Sequence, residues 1–205
     1  MNDPIDTLQA DIGFLKALAL EGRAAPWRGG SILVAAGTIF GVASVLEWAI
    51  QTGHITASPW ALAFLWGGAT VVFLVALRII RRRAAKADSA NPANRAVGLA
   101  WMGVGWTIFT LAASAYLAAW RSQSPLPFLL LPSVVMALYG LGWTVVAAAS
   151  RERWIWLAAA GAYAAAIVMA AFCTSPALAL LYAGALVLLA VVPGLALMRQ
   201  AAKAG

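Results

Sequence analysis

The dominant pattern along this chain is a series of long apolar runs separated by short polar or basic segments. A helix that crosses a hydrocarbon core of about 30 Å needs roughly 20 mostly apolar residues. No charged residue lies between Arg153 and Arg199, and that stretch is too long for one crossing but suits two, with a break at Thr174-Ser175-Pro176. The pattern predicts six transmembrane helices, over residues 31–50, 60–80, 96–120, 128–149, 154–172 and 177–197.

Composition supports this prediction. The chain is 63% hydrophobic and 10% charged, and its mean hydropathy is +0.87, which is typical of a membrane protein. We therefore predict an all-α, polytopic membrane protein with six transmembrane helices in one bundle and an N-terminal cytoplasmic amphipathic helix. The predicted division is an amphipathic helix and linker over 1–28, a transmembrane domain over 29–199 and a short cytoplasmic tail over 200–205.

The distribution of basic residues predicts the orientation. If the six helices alternate in direction, every Lys and Arg except Arg121 falls on the side of the N-terminus. Lys and Arg near span ends are retained in the cytoplasm, so we expect both termini to be cytoplasmic. The richness in Ala, Gly, Arg and Trp is typical of a bacterium with a GC-rich genome, which favours the inner membrane.

The side chains available for chemistry are few. The single histidine, His54, falls in a predicted outer loop, and no metal-ligand, nucleophile or cofactor motif is present. We expect no enzymatic activity, no cofactor and no metal. The positive charge is distributed by topology and does not form a basic patch interleaved with exposed aromatic residues, so we expect no nucleic-acid partner.

Glu47 is the exception to this scarcity of side chains available for chemistry, because it is the only acidic residue predicted in the outer half of the membrane. Arg121 is the only basic residue there. If the first and third helices adjoin, the two residues could pair and reduce the cost of burying a carboxylate. Two alternatives stay open: each side chain reaches interfacial water by itself, or Glu47 binds a cation or proton during transport.

The third span has a mildly polar face. Its members recur at helical spacing and form either a packing surface or a path for a solute: Gly103, Thr107, Thr110, Ser114 and Arg121. Pro132 in the fourth span and Pro193-Gly194 in the sixth are expected to interrupt their helices. Transporters use such interruptions to build binding sites.

Small residues mark candidate helix contacts, because helices in lipid associate through close van der Waals packing. The candidates are Gly37 and Gly41, and two related motifs that contain Gly103 and Gly105 or Gly140 and Gly142. Each related motif continues with a tryptophan, Trp106 or Trp143, which we expect to fill a neighbouring groove. Packing within one bundle is favoured, with a homo-oligomer interface as the alternative.

The segment before the first span predicts a helix with an apolar stripe of Ile5, Leu8, Ile12 and Leu15. A helix that lies on a membrane surface is usually rich in Lys and Arg on its polar face, whereas this one is mainly acidic. We therefore expect it to dock on protein, either at the cytoplasmic ends of the bundle or on a partner. Membrane lipids are the other expected partners.

These observations favour a non-enzymatic integral membrane protein that acts through interactions, as a subunit, scaffold or regulator of a membrane complex. The alternative is a small permease or transporter that uses the kinked fourth and sixth helices and the Glu47 region. A permease requires a cavity that solvent can reach and that converges on Glu47, Thr107, Thr110 or Ser114. An interaction protein is packed solid.

Overall fold

The computed structural model describes residues 29–58, 60–84, 92–150 and 152–203. Every secondary-structure element in these ranges is a helix, and six helices are long and apolar enough to cross a membrane. The predicted all-α class and the six predicted spans are confirmed. The predicted N-terminal amphipathic helix lies in 1–28, outside the described residues.

The observed spans begin and end within a few residues of the predicted positions, apart from longer ends on the side of the basic residues. The last helix continues to Lys203, so most of the predicted tail is helical. The first span is α1, Gly30–Gln51; the second is α2, Ala61–Ala84; the third is α3, Pro92–Ser122; the fourth comprises α4, Leu126–Leu129, and α5, Leu131–Ser150; the fifth is α6, Arg153–Ala171; the sixth comprises α7, Leu178–Leu186, a π-helical segment, Val187–Val191, and α8, Val192–Lys203.

Serine side chains help to start the fourth and sixth spans after their tight turns. The Ser124 hydroxyl accepts a hydrogen bond from the amide of Leu126 at 3.3 Å, and the Ser175 hydroxyl accepts one from the amide of Ala177 at 3.2 Å. The first amides of a helix have no partner within the helix. These serines therefore satisfy donors that would otherwise be left unpaired near the membrane boundary.

The two spans that contain internal prolines are interrupted as expected from the sequence. The fourth span breaks at Leu130, two residues before Pro132. In the sixth, the α-helix ends at Leu186 and passes into the π-helical segment, where the amide of Val192 donates to the carbonyl of Val187. Proline has no amide hydrogen, so it removes one bond from an α-helical ladder and favours such local changes.

The fourth, fifth, sixth and first spans form the packed centre. The fourth packs closely against the fifth, and the first packs along the sixth. The second span lies against the first, and the third lies against the fourth, so both are peripheral. The largest fully buried side chains come from the central spans, and they are Trp143, Met136, Ile155, Met169, Leu186, Val146 and Ser44.

Candidate functional site

Glu47 lies one turn before the end of α1 and is partly buried. Its carboxylate accepts a hydrogen bond from the side-chain amide of Gln51 at 2.9 Å. A second bond comes from the Trp66 side chain of the second span. Because these donors come from two different helices, the carboxylate joins the first span to the second.

Two tyrosines are buried in the packed centre, Tyr139 of the fourth span and Tyr182 of the sixth. The ring of Tyr139 meets Trp101 of the third span edge to face, with 5.3 Å between centroids. We call Glu47, Gln51 and Trp66 the Glu47 cluster.

The Glu47 cluster has limited but definite chemistry. A carboxylate has about four acceptor positions, and the two N–H donors occupy only part of this capacity. The group can therefore bind a proton or cation, or it can hold the first and second spans in register. Among the described residues, no group of three or more His, Cys, Asp or Glu side chains is placed to hold a metal ion.

Arg121 does not meet Glu47. Arg121 is exposed at the C-terminal end of the third span, and that span packs against the fourth, not along the first. The hydrogen-bond partners of Glu47 are Gln51 and Trp66. The two charges are separated because the first span packs on the sixth and second spans, whereas the third packs on the fourth.

The hydroxyls predicted to line a path are also apart from Glu47. Thr107, Thr110 and Ser114 are exposed on the third span, whereas the side of that span that packs on the fourth is marked by the buried Val97, Val104 and Ala115. The two sets are about a quarter-turn apart around the helix at 100° per residue. The polar residues thus face outward and do not converge on the Glu47 cluster.

The candidate glycines fall into two groups. A Cβ added to Gly37 would lie 2.7 Å from Cγ2 of Val191 and 3.0 Å from the Cβ of Ala190. One added to Gly41 would lie 4.0 Å from the carbonyl oxygen of Ala183. Added Cβ atoms would lie 2.7 Å from the Tyr163 ring at Gly140 and 2.9 Å from the Trp101 ring at Gly142. In contrast, Gly103 and Gly105 have no such neighbour within 4 Å among the described residues.

The two tryptophans of the related motifs also differ. Trp143 is 0% exposed and fills the centre of the bundle, whereas Trp106 is 67% exposed. His54, the single histidine, is exposed in the turn after α1, where its ring stacks on Trp48 with 5.0 Å between centroids. The predicted loop position of His54 agrees with this placement.

Sequence reasoning missed two central contacts. The indole of Trp143 donates a hydrogen bond to the Leu189 carbonyl at 2.8 Å, and Gly30 meets Gly194 backbone to backbone. Pro193 was the sequence signal for the first of these contacts. In an α-helix the Leu189 carbonyl would pair with the amide hydrogen of residue 193, which proline lacks. A donor from another helix is the expected replacement.

Comparison of the chain with protein-family models, with curated proteins and with solved structures gave no match.

Proposed function

We propose that this protein acts without catalysis, by binding another transmembrane helix through an outward surface of its third span. That surface, which we call the third-span face, consists of Gly103, Thr107, Thr110 and Ser114. The observation that carries the proposal is the difference between the glycines. Several glycines of the first, fourth and sixth spans are closely covered by a neighbouring helix. In contrast, a Cβ added at Gly103 meets nothing within 4 Å among the described residues, as at Gly98 and Gly105 of the same span.

The physical basis is the weakness of the hydrophobic effect between helices in lipid. Lipid tails are as apolar as leucine, so association depends on close packing and on hydrogen bonds between helices. Small residues allow close approach, and the covered glycines of the other spans serve that purpose in this chain. An open glycine beside hydroxyl groups is therefore suited to a partner helix.

The hydroxyls of the third-span face support the same proposal. Ser44, Thr70 and Thr144 each donate to the carbonyl four residues earlier. No hydrogen bond joins the hydroxyls of the third-span face to other described residues. These groups are available to a partner helix. Each hydrogen bond between transmembrane helices contributes roughly 0.6 kcal/mol.

Cysteine crosslinking in native membranes tests the proposal. Ser114→Cys, in a Cys173→Ala background, is expected to form oxidative adducts that mass spectrometry can identify. Ala164→Cys is the matched control, because Ala164 is also small and exposed, and it lies at a similar depth in the fifth span. An adduct of two identical chains indicates a homo-oligomer, and a mixed adduct indicates a subunit of a complex. Equal or absent crosslinking at both positions contradicts the proposed face.

The location and orientation belong to the same proposal. Among the described residues, Arg81, Arg82 and Arg83 end the second span, while Arg121 ends the third on the opposite side. This asymmetry supports cytoplasmic termini, and the richness in Ala, Gly, Arg and Trp supports a bacterial inner membrane. The N-terminal stripe of Ile5, Leu8, Ile12 and Leu15 would then be available to a cytoplasmic partner or to the basic ends of the bundle.

A small permease is the second candidate, and the Glu47 cluster is the observation that favours it. A carboxylate between helices, near an interrupted sixth span, resembles the parts from which transporters build ion sites. Proteoliposomes with an enclosed pH-sensitive dye test this function. We expect a permease to carry protons faster than empty vesicles and Glu47→Gln to abolish the difference, while Glu152→Gln, a loop control, leaves it unchanged. No flux above empty vesicles contradicts proton transport.

A further inference from the structure

We propose that the basic end of the second span is a binding site for the headgroup of an anionic phospholipid. Its arginine site consists of Arg78, Arg81 and Arg82, all of which are exposed. This site is separate from the third-span face and does not depend on the function proposed above.

The two sides of the second span have different surroundings. Phe73 and Trp66 lie against Phe40 of the first span, with ring centroids 5.5 and 6.1 Å apart. On the other side, Val71 is 61% exposed and Val75 is 54% exposed. Residues 71, 75, 78 and 82 are separated by four, three and four positions and therefore share that uncovered side. Arg78 and Arg82 thus continue an apolar surface that faces lipid.

Arg78 lies within the span of the hydrocarbon core, where its charge needs a partner or access to the interface. At 1.5 Å per residue, Arg78 lies about 26 Å from Ala61 along the helix, within the thickness of a hydrocarbon core of about 30 Å. A charge on the lipid side at this depth is costly unless it reaches the interface or a partner. The flexible stem of arginine can extend toward the headgroups, and the guanidinium can bind a phosphate through two parallel hydrogen bonds.

The described part of the chain provides no counter-charge beside the arginine site. Its only acidic residues are Glu47 and Glu152. Glu47 is close to the opposite end of the first span and is bonded to Gln51 and Trp66. Glu152 precedes the fifth span, whereas the second span packs against the first. A lipid phosphate therefore complements positive charge that no described acidic residue balances.

The apolar surface above the arginines favours a lipid over a soluble anion. A headgroup at Arg78, Arg81 and Arg82 would place its acyl chains along Val71 and Val75. A free phosphate or an acidic peptide makes no use of that surface. The arginines lie at the end of the helix and the valines lie deeper along it. This order matches the headgroup and the acyl chains of a phospholipid.

Native mass spectrometry of the full chain, titrated with phosphatidylglycerol or phosphatidylethanolamine, tests this site. We expect preferential retention of phosphatidylglycerol. The variant Arg78→Gln, Arg81→Gln, Arg82→Gln is expected to weaken that retention at least about tenfold, since each interfacial charge contributes about fivefold. The control Arg95→Gln, Arg153→Gln, Arg199→Gln removes three other exposed arginines and is expected to change it less than about threefold. Thermal unfolding of each variant in neutral detergent verifies that it is folded.

A lysine variant separates geometry from charge. Replacing the three arginines with lysine keeps the net charge, and we expect an intermediate loss because lysine cannot form the bidentate bond. The proposal is overturned if wild type binds both lipids equally, or if the site and control variants lose the same affinity. Displacement of the lipid by millimolar glycerol 3-phosphate would indicate a free-anion site instead.

The acidic N-terminal segment is the competing occupant. The test variant is Asp3→Asn, Asp6→Asn, Asp11→Asn and Glu21→Gln. Unchanged retention of phosphatidylglycerol supports the lipid site. A tenfold or greater rise in retention would show that the chain's own acidic segment occupies the arginines, and it would overturn the proposal.

Discussion

At the residue scale, the contact between Trp143 and Leu189 shows how an internal proline is accommodated. Pro193 cannot donate to the Leu189 carbonyl, and the fully buried indole of Trp143 donates to it at 2.8 Å. In an apolar environment an unsatisfied carbonyl is costly. One side chain of the fourth span therefore compensates for the missing backbone donor in the sixth.

Trp143→Phe is expected to lower the free energy of unfolding by about 1–3 kcal/mol, because the Leu189 carbonyl loses the donor that the buried indole supplies. Thermal or denaturant unfolding in mild detergent measures the change. Trp106→Phe is the matched control and should change it by less than about 0.5 kcal/mol, since Trp106 is largely exposed. Similar losses in both variants would show that the Leu189 bond is not the cause.

At the element scale, the first and sixth spans meet most closely at Gly30 and Gly194. A Cβ on Gly194 would lie 2.8 Å from the carbonyl oxygen of Gly30. Backbone atoms cannot rotate away as a flexible side chain can. The close approach therefore depends on glycine at this position.

We expect Gly194→Ala to force these helices apart and to lower the free energy of unfolding by about 1–3 kcal/mol. Gly184→Ala is a control in the same span, where an added Cβ meets nothing within 4 Å. That control should be neutral or stabilising by up to about 1 kcal/mol through better helix propensity. Unfolding in detergent compares the two, and equal destabilisation would argue against the packing explanation.

The attachment of the second span to the first is also testable as a contact between elements. A double-mutant cycle with Glu47→Leu and Trp66→Phe is expected to show a coupling of about 0.5–3 kcal/mol in unfolding free energy. Glu47→Leu with Arg121→Gln should be additive within about 0.5 kcal/mol, because those residues do not meet. The opposite pattern would restore the predicted pair between Glu47 and Arg121.

At the scale of the whole molecule, the second and third spans are peripheral and the other four form the centre. Within the described residues of the second span, no side chain is fully buried. In water such a helix would be unstable, whereas in lipid its exposed apolar side chains are already in a favourable solvent. This arrangement leaves the third-span face and the arginine site open to partners.

Reporter fusions test the orientation of the whole molecule. We expect a phosphatase that is active only outside the cytoplasm to be active when fused at Gly53, Ser122 or Ser175, and inactive when fused at Ser89. A fluorescent protein that folds only inside should give the reverse result. An active phosphatase at Ser89 would overturn the proposal that both termini are cytoplasmic.

The sequence alone determined the class, the number of spans and their approximate ends. The physical reason is that a bilayer of defined thickness requires apolar segments of defined length. Internal prolines also located the interruptions at Leu130 and after Leu186, because a missing amide is a local property that needs no knowledge of neighbouring helices.

Only the tertiary structure decided which side of each helix meets another helix. Gly140-Leu141-Gly142-Trp143 and Gly103-Val104-Gly105-Trp106 are nearly the same in sequence, yet the first is packed and the second is open. Lipid is as apolar as the centre of the bundle, so a transmembrane helix has no polar face to mark its outer side. For the same reason the sequence could not choose Trp66 over Arg121 as the partner of Glu47, since that choice depends on which spans adjoin.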